Sequence, residues 1–450
     1  MMITIDDINI YTSRKATRLE WLGDIPGHWE IMRLKNISSL KARIGFHGLN
    51  TTHFIERGAF CITGTDFIDG RIDLSNCYKV SEFWYDLDKN IQIRNGDLLV
   101  TKDGTIGKIA LVDNLTAKDK ATLNSGVFVL RTQMLPRYLF WQLNSNLFRT
   151  QIDLISKGST INHLYERDFK NFIFVQPLLS EQTAIARVLD NKTALIDKAI
   201  ALKEKQIALL KEYRQAVIQQ AVTKGLNSDV KLKDSGVEWI GEIPAHWKVK
   251  KLKYVSTVQS GITLGKSYSE RKLVEMPYLR VANVQSGFFL LDDIAYLKLP
   301  NKEISRYLVK SGDILVTEGG DLDKLGRGAV WRNQIENCLH QNHVFAIRIK
   351  EDGLDPEYVS TLMEADYGRR YFTNTANKTT NLASTNSTKL GNFPLVVPPR
   401  HERDSIMAFL EKKSVKINTA VSLKQQEIGK LKEYKASLIN STVTGRIKVT

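Results

Sequence analysis

The chain has 450 residues, of which 42% are hydrophobic and 25% charged, so it buries substantial cores and forms more than one domain. Sixty-four Lys and Arg against 49 Asp and Glu give a net charge of +15, which favours a polyanionic partner such as nucleic acid. No apolar run approaches the roughly 20 residues of a membrane span, and the polar, acidic start MMITIDDINIY is unlike a secretory signal.

After an N-terminal segment (1–19), the decapeptide EWLGDIPGHW runs from Glu20 to Trp29 and returns as EWIGEIPAHW from Glu238 to Trp247, with seven of ten positions identical. The echo continues. NGDLLVT (Asn95 to Thr101) matches SGDILVT (Ser311 to Thr317), GVFVLR (Gly126 to Arg131) matches HVFAIR (His343 to Arg348), and NFIFVQP (Asn171 to Pro177) matches NFPLVVP (Asn392 to Pro398). LKEYR (Leu210 to Arg214) matches LKEYK (Leu431 to Lys435), and the offset stays between 216 and 221. A period this long is a tandem domain duplication, not a short-repeat solenoid. Inside each decapeptide, His28 and His246 have no metal-ligand spacing around them and read as structural. Trp21, Trp29, Trp239 and Trp247 read as packing anchors.

From 20 to 179 the first copy alternates short apolar runs with Gly, Asn and Asp, then a helical stretch at Tyr138 to Ile152. The second copy does the same from 238 to 399. This mixture predicts α+β domains. Cys61, Cys77 and Cys338 fit no zinc pattern and read as reduced core residues of a cytoplasmic protein. GITLGKS (Gly261 to Ser267) has one residue too few for a phosphate loop.

From Ser180 to Thr223 there are 44 residues without Gly or Pro. Leu189, Ile196, Lys203, Leu210 and Val217 recur every seven residues, and so do Thr193, Ile200, Ile207, Arg214 and Ala221. Leu410, Ile417, Lys424, Leu431 and Leu438, with Ser414, Val421, Ile428, Lys435 and Thr442, repeat the pattern between 400 and 446. These seams predict two helices of about 65 Å at 1.5 Å per residue, pairing as an antiparallel coiled coil, with residues 224–237 as a polar linker.

No GxGxxG, HExxH, nucleophile-elbow serine or amino-methyltransferase motif is present, so the chain reads as a non-catalytic, bivalent binder. At this point the residues acquire a family resemblance. The doubled W-[LI]-G-x-I-P-x-H-W opening, the GD-[IL]-L-V-T strand and the two long helices resemble the specificity subunit of type I restriction-modification systems, over roughly Glu20 to Arg446. YLRVANVQ (Tyr278 to Gln285), EGGDLDKLGRGAVW (Glu318 to Trp331) and CLHQNHVF (Cys338 to Phe345) resemble its target-recognition sequences. KDGTIGKIALV (Lys102 to Val112) and LNSGVFVL (Leu123 to Leu130) stand in their place in the first copy.

The resemblance implies two target-recognition domains, each reading one half of a split site in double-stranded DNA, with the helices as spacer. It also implies two docked methyltransferase subunits, which use S-adenosylmethionine to methylate adenines, and separate ATP-driven motor-nuclease (restriction) subunits. No cofactor is expected in this chain.

Base edges are read by Arg, Lys, Asn, Gln, Ser and Thr, and phosphates by basic side chains. Expected DNA-facing residues of the second domain are Lys324 and Arg327 in a Gly-rich loop, and His340, Gln341 and Asn342 just before a strand. The matching residues of the first are Lys102, Thr105, Lys108, Asn124 and Ser125. Polar loops before each long helix add Lys157, Thr160, Asn162 and His163, then Lys378, Thr379 and Asn381. Two other readings are a fused restriction-methylation enzyme, which would need a catalytic motif, and a coiled-coil scaffold with protein partners only, which would not bind DNA.

Overall fold

The computed structural model describes residues 10–43, 49–156, 163–265, 268, 272–378 and 383–449. Two compact units emerge: residues 1–203 with 425–450, and residues 204–424. Each is mixed α/β, and the two are built alike.

Unit 1 centres on a four-stranded antiparallel sheet in the spatial order Ser38–Ala42, Val127–Thr132, Leu98–Thr101, Ile109–Leu111. Unit 2 repeats it as Ser256–Ser260, Val344–Ile349, Ile314–Thr317, Gly328–Val330. The middle strands, LLVT and ILVT, are buried at every position, as an apolar run covered on both faces must be. A second, smaller sheet in each unit contains a parallel pair: Ala59–Ile62 with Ala121–Leu123, and Val274–Leu279 with Leu339–His340.

The duplicated signatures meet inside each frame. Asp97 of the GD-LVT motif takes a two-pronged ion pair from Arg131, both bonds at 2.9 Å, and Asp313 takes one from Arg348 at 2.7 and 2.6 Å. Both aspartates also accept a backbone N–H, from Arg94 and Lys310. The preceding Gly96 and Gly312 sit at φ +93° and +89°, where a side chain would be strained.

The decapeptides act on the long helices, which span Leu179–Lys224 and Arg400–Val443. Glu181, in the first turn of one helix, is held by His28 at 2.8 Å, Trp29 at 3.4 Å and Tyr11 at 2.9 Å. Glu402 in the other is held by His246 at 2.6 Å and Trp247 at 3.0 Å. Trp29 and Trp247 are fully buried, so the anchoring role predicted for them has a mechanism: each indole packs in the core and its N–H fixes a helix start. A carboxylate there also suits the positive end of the helix dipole.

Each heptad position named in the seams is buried or half-buried, while most positions between them along the middle of each helix are exposed. The seam lysine Lys203 reaches Glu427 at 2.6 Å and Lys435 reaches Asp197 at 2.7 Å, all within unit 1. Ile218, Ile406 and Leu410 share one core cluster in unit 2.

Three boundaries shift. The segment expected to be a linker contains the strand Leu232–Asp234, paired with Glu242–Pro244, and the N-terminal segment contains Arg14–Ala16, paired with Asp24–Pro26. Each module therefore starts several residues before its decapeptide. The second helix ends at Val443 rather than 446, where Gly445 at φ +68° turns the chain. The three cysteines are buried and unpaired with one another, and burial pushes Cys61 and Cys338 up to about 12, so they are thiols at neutral pH.

Candidate nucleic-acid interface

The main sheet and the parallel pair of each unit release their loops at one end. In unit 1 the hairpin loop 102–108 is tied down by Thr101. Its hydroxyl donates to the Thr105 carbonyl at 2.5 Å and accepts from the Lys108 N–H at 2.9 Å. Thr105 and Lys108 are thereby held outward and exposed. The Lys102 N–H donates to the Gly126 carbonyl at 2.9 Å, and the Lys102 carbonyl accepts from the Leu164 N–H at 2.8 Å. The Lys102 ammonium lies 5.4 Å from the Phe128 ring centre. Asp103 pairs with His163. Asn124 leaves the parallel pair through a 2.9 Å bond from its N–H to the Ile62 carbonyl, and its side chain accepts the Ser125 N–H at 2.6 Å. Lys102, Thr105, Lys108, Asn124, Ser125 and His163 are thus gathered from three loops by backbone hydrogen bonds together with the side chains of Thr101 and Asn124.

Unit 2 uses the same wiring. The Glu318 N–H donates to the His343 carbonyl at 2.9 Å, and the Thr385 N–H donates to the Glu318 carbonyl at 2.8 Å. Gly319 pairs with Ser384, and Lys378 with Ala383 in a short hairpin. Glu318 also holds His343 at 2.6 Å. The Gln341 N–H donates to the Leu279 carbonyl at 2.9 Å, and that of Asn342 to the Ile262 carbonyl at 3.0 Å. Lys324 and Lys378 are exposed and Gln341 and Asn342 half-exposed. Lys324 pairs with Asp321 at 2.5 Å, and this hydrogen bond holds the Asp321 carboxyl below the usual carboxylate range.

One expectation is revised. His340 is fully buried. Its Nδ1 faces the Val344 carbonyl at 2.7 Å, and burial lowers its basicity, so it is a neutral core imidazole offering no edge to a ligand. The reason is strand alternation: His340 points into the core where the first copy has Leu123, and the polar run begins one residue later. Arg327 is half-buried and lines a small cavity of 30 Å³ with Ser286, Gly287, Ser360, Glu364 and Arg369, on the helix side of its hairpin. Lys157, Thr160, Asn162, Thr379 and Asn381 lie outside the described residues, as do Lys266 and Ser267 of the GITLGKS stretch.

A further loop, read from the sequence in the second copy only as part of the YLRVANVQ stretch, was not among the expected DNA-facing residues. Thr63–Asp66 in unit 1 and Arg280–Asn283 in unit 2 follow the first strand of each parallel pair, and so emerge beside Asn124 and Gln341. Each is closed by a buried side chain accepting the N–H of the loop's first residue, Asp66 at 2.7 Å and Asn283 at 2.8 Å. The signal was available: the two capping residues lie 217 apart, within the repeat offset.

Among the described residues, no group of His, Cys, Asp and Glu is arranged to hold a metal ion, and no helix is long and apolar enough to cross a membrane.

Residues 26–212 and 244–432 each match the type I restriction modification DNA specificity domain. The chain belongs to that family. It is 28% identical over 272 residues to the EcoKI specificity subunit of Escherichia coli K12, an alignment covering 59% of this chain and 56% of that subunit. The chain thus spans little more than half of that relative. It is 26% identical over 383 residues to the MjaVIII specificity subunit of Methanocaldococcus jannaschii, covering 82% of this chain and 83% of the relative. Two solved structures share the fold. One comes from work on complex assembly and conformational transition of the type I R-M system (TM-score 0.68, 15% identity, 93% of this chain and 98% of that one). The other is the HsdS subunit of Thermoanaerobacter tengcongensis (TM-score 0.50, 16% identity, 94% and 98%). Two repeated recognition domains and two long helices are therefore the family's architecture as this chain carries it.

Proposed function

We propose that this chain is the non-catalytic DNA-reading subunit of a type I restriction-modification complex, and that each unit reads one half of a bipartite site in double-stranded DNA. The observation that carries this is the convergence of loops. In both units, segments distant in sequence are wired to one end of the frame by the same backbone hydrogen bonds, while their side chains differ. A fixed frame with variable, polar, partly basic loops is what positions side chains on base edges. The charge of +15 supplies the sequence-independent attraction to phosphates.

The long helices pair antiparallel, set the gap between the two words, and dock two methyltransferase subunits. Motor-nuclease subunits complete the complex in the cytoplasm. Supporting the pairing, Asp197 meets Lys435 while Lys203, further along one helix, meets Glu427, earlier on the other.

The test is long-read detection of modified adenines in a host expressing this chain with its methyltransferase subunit. A bipartite motif with a constant gap is expected, and modification absent or lacking any bipartite motif would overturn the reading. Deleting one heptad from each helix (201–207 with 422–428) shortens each by about 10 Å, or three base pairs of duplex. The gap should contract with both words unchanged, provided the variant still folds. A folded variant keeping the original gap would show that the helices do not set it.

A further inference from the structure

We infer that Arg280 and Gln341 form the base-reading pair of unit 2, with Arg280 reading a guanine and Gln341 an adenine. Thr63 and Asn124 occupy the same two places in unit 1. The inference rests on the DNA-reading function proposed above and names the residues that carry it out.

The argument starts from register. Val274–Leu279 and Leu339–His340 run parallel, with Leu279 opposite His340. Parallel neighbours end at the same edge, so the next residues, Arg280 and Gln341, leave the sheet side by side, joined by the Gln341 N–H to Leu279 carbonyl bond at 2.9 Å. The carboxyl ends of adjacent parallel strands are a recurrent place for ligand contacts. Unit 1 has the same construction: Ile62 lies opposite Leu123, and Thr63 and Asn124 follow.

Arg280 stands on a rigid base. Its N–H is capped by the buried Asn283 at 2.8 Å, and the Asn283 amide donates to the carbonyls of Leu290 at 2.8 Å and Asp293 at 3.0 Å. The guanidinium Nη2 is braced by the Asp293 carboxylate at 2.7 Å and its carbonyl at 3.2 Å, and Nε is buried without a hydrogen-bond partner. The Asp293 carboxylate is 88% exposed, so this ion pair is weak: it orients the guanidinium and can yield Nη2 to a stronger acceptor. A pre-aimed guanidinium matches the two acceptors of guanine in the major groove, and a Gln amide matches the acceptor and donor of adenine. In unit 1 the Thr63 hydroxyl is turned to Asp66 and Thr65, and no guanidinium stands at that place, so the two units read different words from one scaffold.

The experiment compares modified-adenine motifs for the wild-type chain, Arg280→Gln, Arg280→Lys and Gln341→Ala, each co-expressed with the methyltransferase subunit. Arg280→Gln should relax one G·C position of one half-site, by about 10-fold to 100-fold in discrimination. The other half-site should be unchanged. Arg280→Lys, which keeps the charge and the partner Asp293 but loses the fork, should relax the same position, and it stands in if the Gln variant does not fold. Gln341→Ala should relax an adenine position in the same half. Uniform weakening at every site with the motif intact would make Arg280 a phosphate contact and overturn the inference, as would an unchanged motif at unchanged efficiency. A wild-type chain that yields no bipartite motif would instead sink the DNA-reading function itself.

Discussion

The two units share a frame and differ in what it presents. Asp97–Arg131 and Asp313–Arg348, His28–Trp29–Glu181 and His246–Trp247–Glu402, and the hydroxyls of Tyr138 and Tyr358 on the carbonyls of Val175 and Val396 are the same contacts made twice. Between them the loops carry Thr63 against Arg280, Asn124 against Gln341, and a hairpin of seven residues (102–108) against one of ten (318–327). Contacts that need a particular residue type survive divergence of the copies. Loops whose backbones are tethered at both ends are free to change side chains, because their geometry is set by main-chain bonds.

The largest effect should come from breaking the shared ion pair. Asp313 is 1% exposed while Arg348 keeps a third of its side chain in solvent, so Asp313→Ala leaves a partly hydrated cation and should cost about 2–3 kcal/mol. Asp97→Ala should cost about the same, since Arg131 is less exposed at 23% but keeps the carbonyls of Asn90 and Gln92 as acceptors. Hydrogen exchange locates the damage: protection should fall across 314–349 in the first variant and across 98–132 in the second. Equal loss in both strand sets from one substitution would contradict a frame stabilised separately in each unit.

The helix-start clamps differ by one donor, and this sharpens the comparison. Burial raises the Glu181 carboxyl, but hydrogen bonds from His28, Tyr11 and Trp29 outweigh it and leave the group below its ordinary value of 4.5. A carboxyl held low in the folded state contributes stability above its unfolded value, and that contribution is lost as pH falls through the folded one. Glu181→Gln should therefore cost about 1–2 kcal/mol near neutrality and flatten the decline in stability below pH 4.5. Glu402→Gln, with two donors in place of three, should cost less. Denaturant titrations at pH 7 and at pH 4 measure both, and a larger loss at pH 4 than at pH 7 for Glu181→Gln would reverse the assigned sign.

Much of the architecture was legible because duplication and periodicity are written in the chain. The offset of 216 to 221 defined two modules, and the heptads of Leu189 and Leu410 located both seams. Less legible were features that depend on strand phase and distant pairing. His340 looked like part of a polar run, yet alternation turns it inward. Arg280 was seen only inside a family-like stretch, since nothing local says that its strand runs parallel to Leu339–His340. The strands before each decapeptide, RKA and LKD, are too short and polar to carry a pattern, and only their pairing reveals them.

The smallest expected effect compares one position of those short hairpins. Arg18 adopts φ +59°, and 218 residues later Gly236 adopts φ +71° with open space where a side chain would begin. The left-handed region costs an L-residue with a Cβ about 1–2 kcal/mol, while glycine gives back roughly 0.5–1 kcal/mol through its freer unfolded state. Arg18→Gly should therefore stabilise by about 0.5 kcal/mol, and Gly236→Ala should destabilise by a similar amount. At the usual slope for domains of this size each corresponds to roughly 1–2 °C in melting temperature. Because no atom lies within 4 Å of a Cβ built at Gly236, sterics contribute nothing there and the backbone term stands alone. Differential scanning calorimetry of the two variants reads the signs directly. Arg18→Gly melting below wild type would mean that the Arg18 side chain contributes more than its backbone strain costs, and the hairpins would then be alike in path but not in what holds them.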